Sequence, residues 1–163
     1  MVVEEAEKIA QNKDSVLDLC CGSGIIGIAL MKKAAGNKKT LKVTSSDMSE
    51  EAVALTAENA QLNGVRLEIT QGDLFEPIKK KKYDLIVSNP PYIESDVIPT
   101  LDVEVKDYDP LTALDGGEDG LDFYRKIIEE APEHLKKKGR IIFEIGHNQG
   151  TAVAELLKAS GAF

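Results

Sequence analysis

A glycine loop and a nearby carboxylate are the residues of this chain best suited to hold a ligand. Residues 22–27 read Gly-Ser-Gly-Ile-Ile-Gly, a spacing in which glycines let a ligand approach the backbone at the start of a helix. Asp47 follows Gly27 by 20 residues, the separation at which a carboxylate accepts hydrogen bonds from ribose hydroxyls. These residues indicate a nucleotide-type ligand, and a nicotinamide cofactor is one candidate.

Two further carboxylates favour S-adenosylmethionine, which has a ribose and an adenine but no pyrophosphate. Asp18 lies four residues before Gly22, where it would repel a pyrophosphate and attract the cationic amino acid part of S-adenosylmethionine. Asp73, in a Gly-Asp-Leu-Phe run, can accept a hydrogen bond from the adenine amino group. Each carboxylate alone could equally be a capping or strand-end residue. Three acids around one glycine loop favour the sulfonium cofactor.

A second motif, Ser-Asn-Pro-Pro-Tyr at residues 88–92, is suited to hold a reacting group. Its two prolines fix the backbone and remove two N–H donors, so carbonyl oxygens are left free to accept hydrogen bonds. Such a turn is often only a rigid start to a loop. Directly after a strand, at the edge where a ligand binds, it indicates a reaction site.

The elements that must position these motifs follow from the hydrophobic pattern. Apolar runs of strand length alternate with amphipathic runs of helix length, which predicts an α/β fold with a mostly parallel sheet and helices on both faces. The predicted strands are 15–20, 41–46, 66–70, 83–88 and 140–144, and the predicted helices are 3–12, 24–35, 49–62, 121–137 and 149–160. In the sheet order 3-2-1-4-5, the glycine loop and the turn at Asn89 flank one crevice at the carboxyl edge.

Three local features complete the predicted fold. Ser49 is the expected N-cap of the helix that follows it, and Lys136–Lys138 are expected to end a helix, where cations suit the helix dipole. Residues 93–120 show no clear periodicity and are predicted to form a long substrate-side loop. We expect one domain over residues 1–163.

Together, these motifs resemble a known class of enzymes. Leu-Asp-Leu-Cys-Cys-Gly-Ser-Gly, Gly-Asp-Leu-Phe and Asn-Pro-Pro-Tyr, in this order, resemble the Rossmann-like class I S-adenosylmethionine-dependent methyltransferases that act on a planar nitrogen. Further matches are Tyr-Asp-Pro at 108–110, Ala-Leu at 113–114, Gly-Gly at 116–117, Asp-Gly-Leu at 119–121, Tyr-Arg at 124–125 and Phe-Glu-Ile-Gly at 143–146. With these the chain is similar to the HemK/PrmC family of release-factor glutamine (N5) methyltransferases.

The resemblance implies methyl transfer from S-adenosylmethionine to the side-chain amide of the glutamine in a release factor's Gly-Gly-Gln motif, leaving S-adenosylhomocysteine. It implies that the Asn89 side-chain oxygen and the Pro90 carbonyl accept the two amide hydrogens, and that Tyr92 packs on the flat amide. The cofactor site is expected to comprise Asp18, Cys20, Gly22, Gly24, Asp47, Met48, Asp73, Leu74 and Asn89. The family's N-terminal helical domain and two C-terminal strands are expected to be missing.

The main alternative is an amino-group methyltransferase acting on DNA or RNA bases, because such enzymes use the same turn. That function predicts a basic groove near the turn. Residues 94–122 instead carry ten acids and one base, and residues 83–163 account for the whole net charge of −8. We therefore expect a protein substrate, the release factor, and not nucleic acid. A nicotinamide-dependent dehydrogenase and a non-catalytic binding module are lesser alternatives.

Composition excludes several other classes. The longest apolar run covers residues 25–31, whereas a transmembrane helix needs about 18 residues or more, and the N-terminus does not have the pattern of a secretory signal. We expect a cytoplasmic protein with no membrane partner. Cys20 and Cys21 are adjacent, and His134 and His147 lack partners at ligand spacing. The sequence therefore predicts no metal site.

Overall fold

Five parallel strands form one sheet in the part of the chain that the structure describes. The computed structural model describes residues 2–106 and 110–163, so the Tyr-Asp part of the motif at 108–110 lies outside the described residues. The strands are β1 (Ser15–Leu19), β2 (Lys42–Asp47), β3 (Glu68–Gln71), β4 (Tyr83–Ser88) and β5 (Leu135–Phe143). Their order is β3-β2-β1-β4-β5. The predicted α/β class, parallel pairing and strand order are confirmed.

Helices connect these strands, as the alternating pattern predicted. In the described ranges they are α1 (Val2–Ile9), α2 (Ile25–Gly36), α3 (Glu50–Leu62), α4 (Val103–Lys106), α5 (Leu111–Leu114), α6 (Asp122–His134) and α7 (Gly150–Ala159), with 3-10 turns at Glu76–Ile78 and Ile98–Thr100. Ser49 caps α3, because its hydroxyl accepts a hydrogen bond from the Ala52 N–H at 3.1 Å, as predicted. None of these helices is long and apolar enough to cross a bilayer.

Both faces of the central strands are buried. Val16 and Val87 lie in one apolar cluster with side chains of α1 and α2, among them Ala6 and Leu30. Residues 16–19 of β1 are buried at every position. Because neighbouring side chains of a strand point to opposite faces, this pattern means that the sheet is covered on both sides. The sheet is therefore a firm support for the residues at its ends.

The chain forms two compact units. Unit 1 comprises Met1–Asn89 and Glu133–Glu144, and therefore contains the whole sheet. Unit 2 comprises Pro90–Pro132 and Ile145–Phe163. The segment 93–120, predicted to be a long loop, contains α4, α5 and the 3-10 turn at Ile98–Thr100.

The predicted boundary between the last long helix and β5 is wrong. α6 ends at His134, and Lys136–Lys138 lie within β5 instead of ending a helix. Pro132 lacks an N–H donor for the helix that contains it, and the His134 ring stacks on Phe75 with ring centres 4.6 Å apart. The β4 and β5 strands change register beside Tyr83, so the lysines form an irregular bulge at the start of β5.

Candidate active site

The predicted ligand residues of unit 1 meet at the carboxyl edge of the sheet. β1 ends level with Ser46 of β2 on one side and with Ser88 of β4 on the other. The residues that follow these three along the chain are Cys20, Asp47 and Asn89. The parallel register therefore places the start of the glycine loop, the acid after β2 and the asparagine after β4 at one edge.

Asp47 holds the first turn of the glycine loop. Its Oδ2 accepts a hydrogen bond from the Gly22 N–H at 2.8 Å, and its Oδ1 accepts one from the Ser49 N–H at 3.0 Å. A carboxylate has about four lone-pair sites. Half-buried Asp47 can therefore hold the loop and still accept hydrogen bonds from a bound ligand.

Asp18 lies beneath the loop and has no exposed surface. Its Oδ2 accepts hydrogen bonds from the Gly27 N–H at 2.9 Å and from the Ser45 hydroxyl at 3.4 Å, while its Oδ1 has no partner in residues 2–106 and 110–163. Burial raises the pKa of Asp18 to about 7. In the structure this buried carboxyl contacts the backbone of α2, and its contact with the cofactor's amino group stays a prediction.

Two polar residues of α3 that the sequence analysis missed also hold the glycine loop. Thr56 Oγ1 donates to the Gly22 carbonyl at 2.9 Å, and Asn59 Nδ2 donates to the Ser23 carbonyl at 2.9 Å. Residues three apart lie on the same helix face. The Thr-x-x-Asn spacing on a helix that begins just after Asp47 is the signal that would have found them.

The two loop glycines have different surroundings, which predicts different costs of substitution. Gly22 and Gly24 both have left-handed backbones, with φ of +53° and +74°, so an alanine costs about 1–2 kcal/mol at either position. A Cβ on Gly24 would lie 2.7 Å from Thr56 Cγ2, whereas one on Gly22 would meet nothing within 4 Å. We expect Gly24→Ala to lower the free energy of unfolding by about 1–2 kcal/mol more than Gly22→Ala does. Urea denaturation of both variants measures this, and equal losses would contradict the packing role of Thr56.

The two cysteines at the start of the loop are suited to structural roles. Burial, followed by the nearby Asp47 carboxylate, raises the pKa of the Cys20 thiol to about 12, and burial raises that of Cys21 to about 12 as well. Both thiols are therefore neutral near pH 7 and weak nucleophiles. No group of three or more His, Cys, Asp or Glu side chains in the described ranges could hold a metal ion.

Three of the residues predicted to bind the cofactor differ in exposure. Met48 is 51% exposed and Asp73 is exposed, so both present side chains to solvent near the carboxyl edge. Gly72 N–H donates to the Asp47 carbonyl at 3.0 Å, which ties the end of β3 to the end of β2. Leu74 is only 7% exposed and offers a ligand little side-chain surface.

Asn89 is exposed, and its side chain makes no hydrogen bond to any residue that the structure describes. The strand before it is firmly held: the Ser88 hydroxyl donates to the Leu19 carbonyl at 2.8 Å, and the Glu144 N–H donates to the Ser88 carbonyl at 2.9 Å. A fixed backbone thus carries an exposed carboxamide at the edge where the glycine loop begins.

Pro90 and Tyr92, the other predicted catalytic residues, open unit 2. Pro90 is buried and Tyr92 is half-buried. The Tyr92 carbonyl accepts a hydrogen bond from Gln149 Nε2 at 2.9 Å. Gln149 was not among the predicted site residues, because 57 residues separate it from Tyr92.

Comparisons with known proteins point to one family. A family model described as Methyltransferase small domain matches residues 3–103. Release factor glutamine methyltransferases from Thermodesulfovibrio yellowstonii and Geobacter sulfurreducens are 44% and 42% identical to the chain, covering 98% and 99% of it. The match covers 56% and 55% of those two proteins, so the chain spans about half the length of the curated relatives it matches.

Solved structures share the fold. The ribosomal protein L11 methylase from Lactobacillus delbrueckii subsp. bulgaricus superposes with a TM-score of 0.66 at 22% identity, covering 98% of this chain and 66% of that one. The similarity supports the Rossmann-like arrangement of the sheet and helices.

Proposed function

Because this chain belongs to the Methyltransferase small domain family, we propose that it transfers a methyl group from S-adenosylmethionine to the side-chain amide of a glutamine in a peptide-chain release factor. The observation that carries the proposal is Asn89, which is exposed beside the glycine loop at the carboxyl edge and has no hydrogen-bond partner among the described residues. The printed names of the relatives support the choice of substrate.

The residues of the carboxyl edge fit S-adenosylmethionine. Asp47 keeps free lone pairs for the ribose hydroxyls, exposed Asp73 can accept from the adenine amino group, and Gly22 leaves open space for a ligand. Carboxylates at this edge favour a cationic cofactor over a pyrophosphate. The bound cofactor supplies an electrophilic methyl group on its sulfonium.

The catalytic turn would orient the glutamine amide. An amide nitrogen is a weak nucleophile because its lone pair is delocalised into the carbonyl. The Asn89 oxygen and the Pro90 carbonyl accept its two hydrogens and so stabilise the positive charge that develops on the nitrogen. Alignment of the nitrogen with the methyl group lowers the activation barrier further. Tyr92 would pack against the flat amide. The methylated nitrogen is acidic enough to lose its proton without a strong base from the chain.

The proposal is tested by titrating the chain calorimetrically with S-adenosylmethionine and, separately, with NAD. We expect binding of S-adenosylmethionine alone, followed by methyl transfer to a release factor that carries Gly-Gly-Gln and no transfer to one that carries Gly-Gly-Ala. Binding of NAD alone, or transfer to RNA but not to the release factor, would overturn the proposal.

Asp47→Ala is expected to weaken S-adenosylmethionine binding by about 10–30-fold, because charge-assisted hydrogen bonds contribute about 2 kcal/mol. Glu68→Ala is the matched control. It removes an exposed carboxylate from the amino end of β3, where Glu68 pairs with Lys81. The affinity of this variant for S-adenosylmethionine should stay within about twofold of wild type. Calorimetry measures both, and equal affinities for the two variants would exclude Asp47 from the cofactor site.

A further inference from the structure

Gln149 is buried in unit 2, and its carboxamide is hydrogen bonded on both sides. Nε2 donates to the carbonyls of Tyr92 at 2.9 Å and Gly120 at 3.2 Å, and Oε1 accepts from the Gly146 N–H at 3.0 Å. The side chain is only 7% exposed in total. A carboxamide has two N–H donors, and both are used on backbone carbonyls. The side chain therefore joins three separate stretches of backbone.

Two glycines also lie against the backbone of Tyr92. A Cβ on Gly120 would lie 2.4 Å from the Tyr92 carbonyl oxygen and 2.7 Å from Gln149 Nε2, and one on Gly116 would lie 2.7 Å from Tyr92 Cα. We call Gly116, Gly120, Gly146 and Gln149 the Tyr92 clamp. No larger residue fits at Gly116 or Gly120 without moving the backbone.

The next residue, Ile93, continues the contact. Its N–H donates to the Leu114 carbonyl at 2.9 Å, and its carbonyl accepts from the Gly116 N–H at 2.8 Å. The glycines of the Gly-Gly and Asp-Gly-Leu motifs thus lie against the residues that follow the Pro-Pro turn, and the glycine of the Phe-Glu-Ile-Gly motif holds Gln149, which binds Tyr92. The proposed chemistry gave these motifs no role, and the clamp supplies one.

We propose that Gln149 is a positioning residue for the catalytic turn. By fixing the Tyr92 carbonyl, it fixes one end of the Pro90-Pro91-Tyr92 segment. Each proline has a locked φ, so a fixed Tyr92 limits where the Pro90 carbonyl lies. This inference rests on the proposed function, in which that carbonyl accepts an amide hydrogen. Misplacement of a reacting group by about 1 Å can cost about 100-fold in rate.

The test compares Gln149→Leu with Asn148→Ala, the control at the exposed neighbouring residue. We expect Gln149→Leu to lower kcat by about 10–30-fold, counted per chain that binds S-adenosylmethionine. The KM for the release factor and the affinity for S-adenosylmethionine should each stay within about twofold of wild type. Hydrogen exchange of the Ile93 amide should become faster. Asn148→Ala should match wild type in every measurement. A loss of folded protein alone would reduce the binding-competent fraction and leave kcat per competent chain unchanged.

Gln149→Glu should regain part of the lost rate as the pH is lowered. Its carboxylate repels the Tyr92 carbonyl, whereas its protonated form can again donate one hydrogen bond. The rate deficit of Gln149→Glu should therefore shrink relative to that of Gln149→Leu as the pH falls from 8 to 5. If the leucine variant folds poorly, the rate of Gln149→Glu relative to wild type, measured at pH 8 and at pH 5, tests the proposal in its place.

Gly120→Ala tests the clamp through one of its glycines, with Gly161→Ala as the control. Both glycines have left-handed φ, +70° and +65°, but a Cβ on Gly161 meets nothing within 4 Å. Only Gly120→Ala should speed exchange at Ile93 and lower kcat per binding-competent chain.

The outcomes separate the clamp from the proposed function. Unchanged exchange at Ile93 in Gln149→Leu would overturn the clamp, and faster exchange with wild-type kcat would overturn the positioning role. A wild-type chain that binds S-adenosylmethionine but methylates no release factor would contradict the proposed function and, with it, the positioning role. The exchange data would then still decide whether Gln149 holds Tyr92.

Discussion

Asn89→Ala is expected to lower kcat for glutamine methylation by about 10²–10³-fold, the effect of removing one acceptor or donor that stabilises charge in a transition state. The side chain is exposed and unpaired among the described residues, so its removal takes no hydrogen bond from the fold. Affinity for S-adenosylmethionine should remain within about threefold of wild type, because Asp47 and the glycine loop supply most of the binding interactions.

The measurement is single-turnover methyl transfer to the release factor, with calorimetry of the cofactor beside it. Asn89→Asp keeps oxygen acceptors at the same place and should retain more activity than Asn89→Ala. Asn148→Ala, the substitution of another exposed asparagine, should leave the rate unchanged. Full transfer by Asn89→Ala would refute the mechanism, whereas a parallel loss of cofactor binding would assign Asn89 to cofactor binding rather than to the reaction.

Asp18→Asn should become progressively more stable than wild type as the pH is raised from 5 to 8. Burial raises the pKa of Asp18 from 3.8 to about 7, so between these values the folded state binds more protons than the unfolded state. Stability associated with the protonated carboxyl is then present below about pH 4 and is lost as the pH rises to about 7. An asparagine oxygen can still accept from the Gly27 N–H and carries no charge at any pH.

The difference between the two free energies of unfolding should change by about 3 kcal/mol between pH 5 and pH 8, since each pKa unit corresponds to about 1.4 kcal/mol. Urea denaturation of both proteins at the two pH values measures it. Other titrating groups cancel in the difference, because the proteins differ at one position. Parallel pH profiles would show that Asp18 is ionised in the folded protein throughout this range.

The sheet could be predicted from sequence because each strand has its own local pattern of apolar residues. The strand order could be predicted because, in open sheets of this class, the order of the strands reverses at the point where the ligand binds. Asp47 and Asn89 could be placed at one edge because parallel strands end together. The same local reasoning predicted the cap at Ser49, where one hydroxyl and one N–H decide the result.

The features that could not be predicted depend on contacts between residues far apart in the chain. Nothing local to Asp18 shows that α2 covers it, so its burial could not be anticipated. Gln149 contacts backbone 57 residues away, and no spacing in a single sequence reveals such a pair. Thr56 also contacts distant backbone, 34 residues away, and only its Thr-x-x-Asn spacing with Asn59 hints at that role. The α6 boundary was misplaced because Lys136–Lys138 suit a helix end as well as they suit a strand bulge.

That bulge also limits where β5 is regularly paired. Lys136–Lys138 are exposed, and Lys138 has a φ of +67°, so these lysines interrupt the regular ladder between β4 and β5. Regular pairing joins residues 140–143 to residues 85–88. The irregular backbone therefore lies at the amino end of β5, away from the end of β4 that carries Asn89.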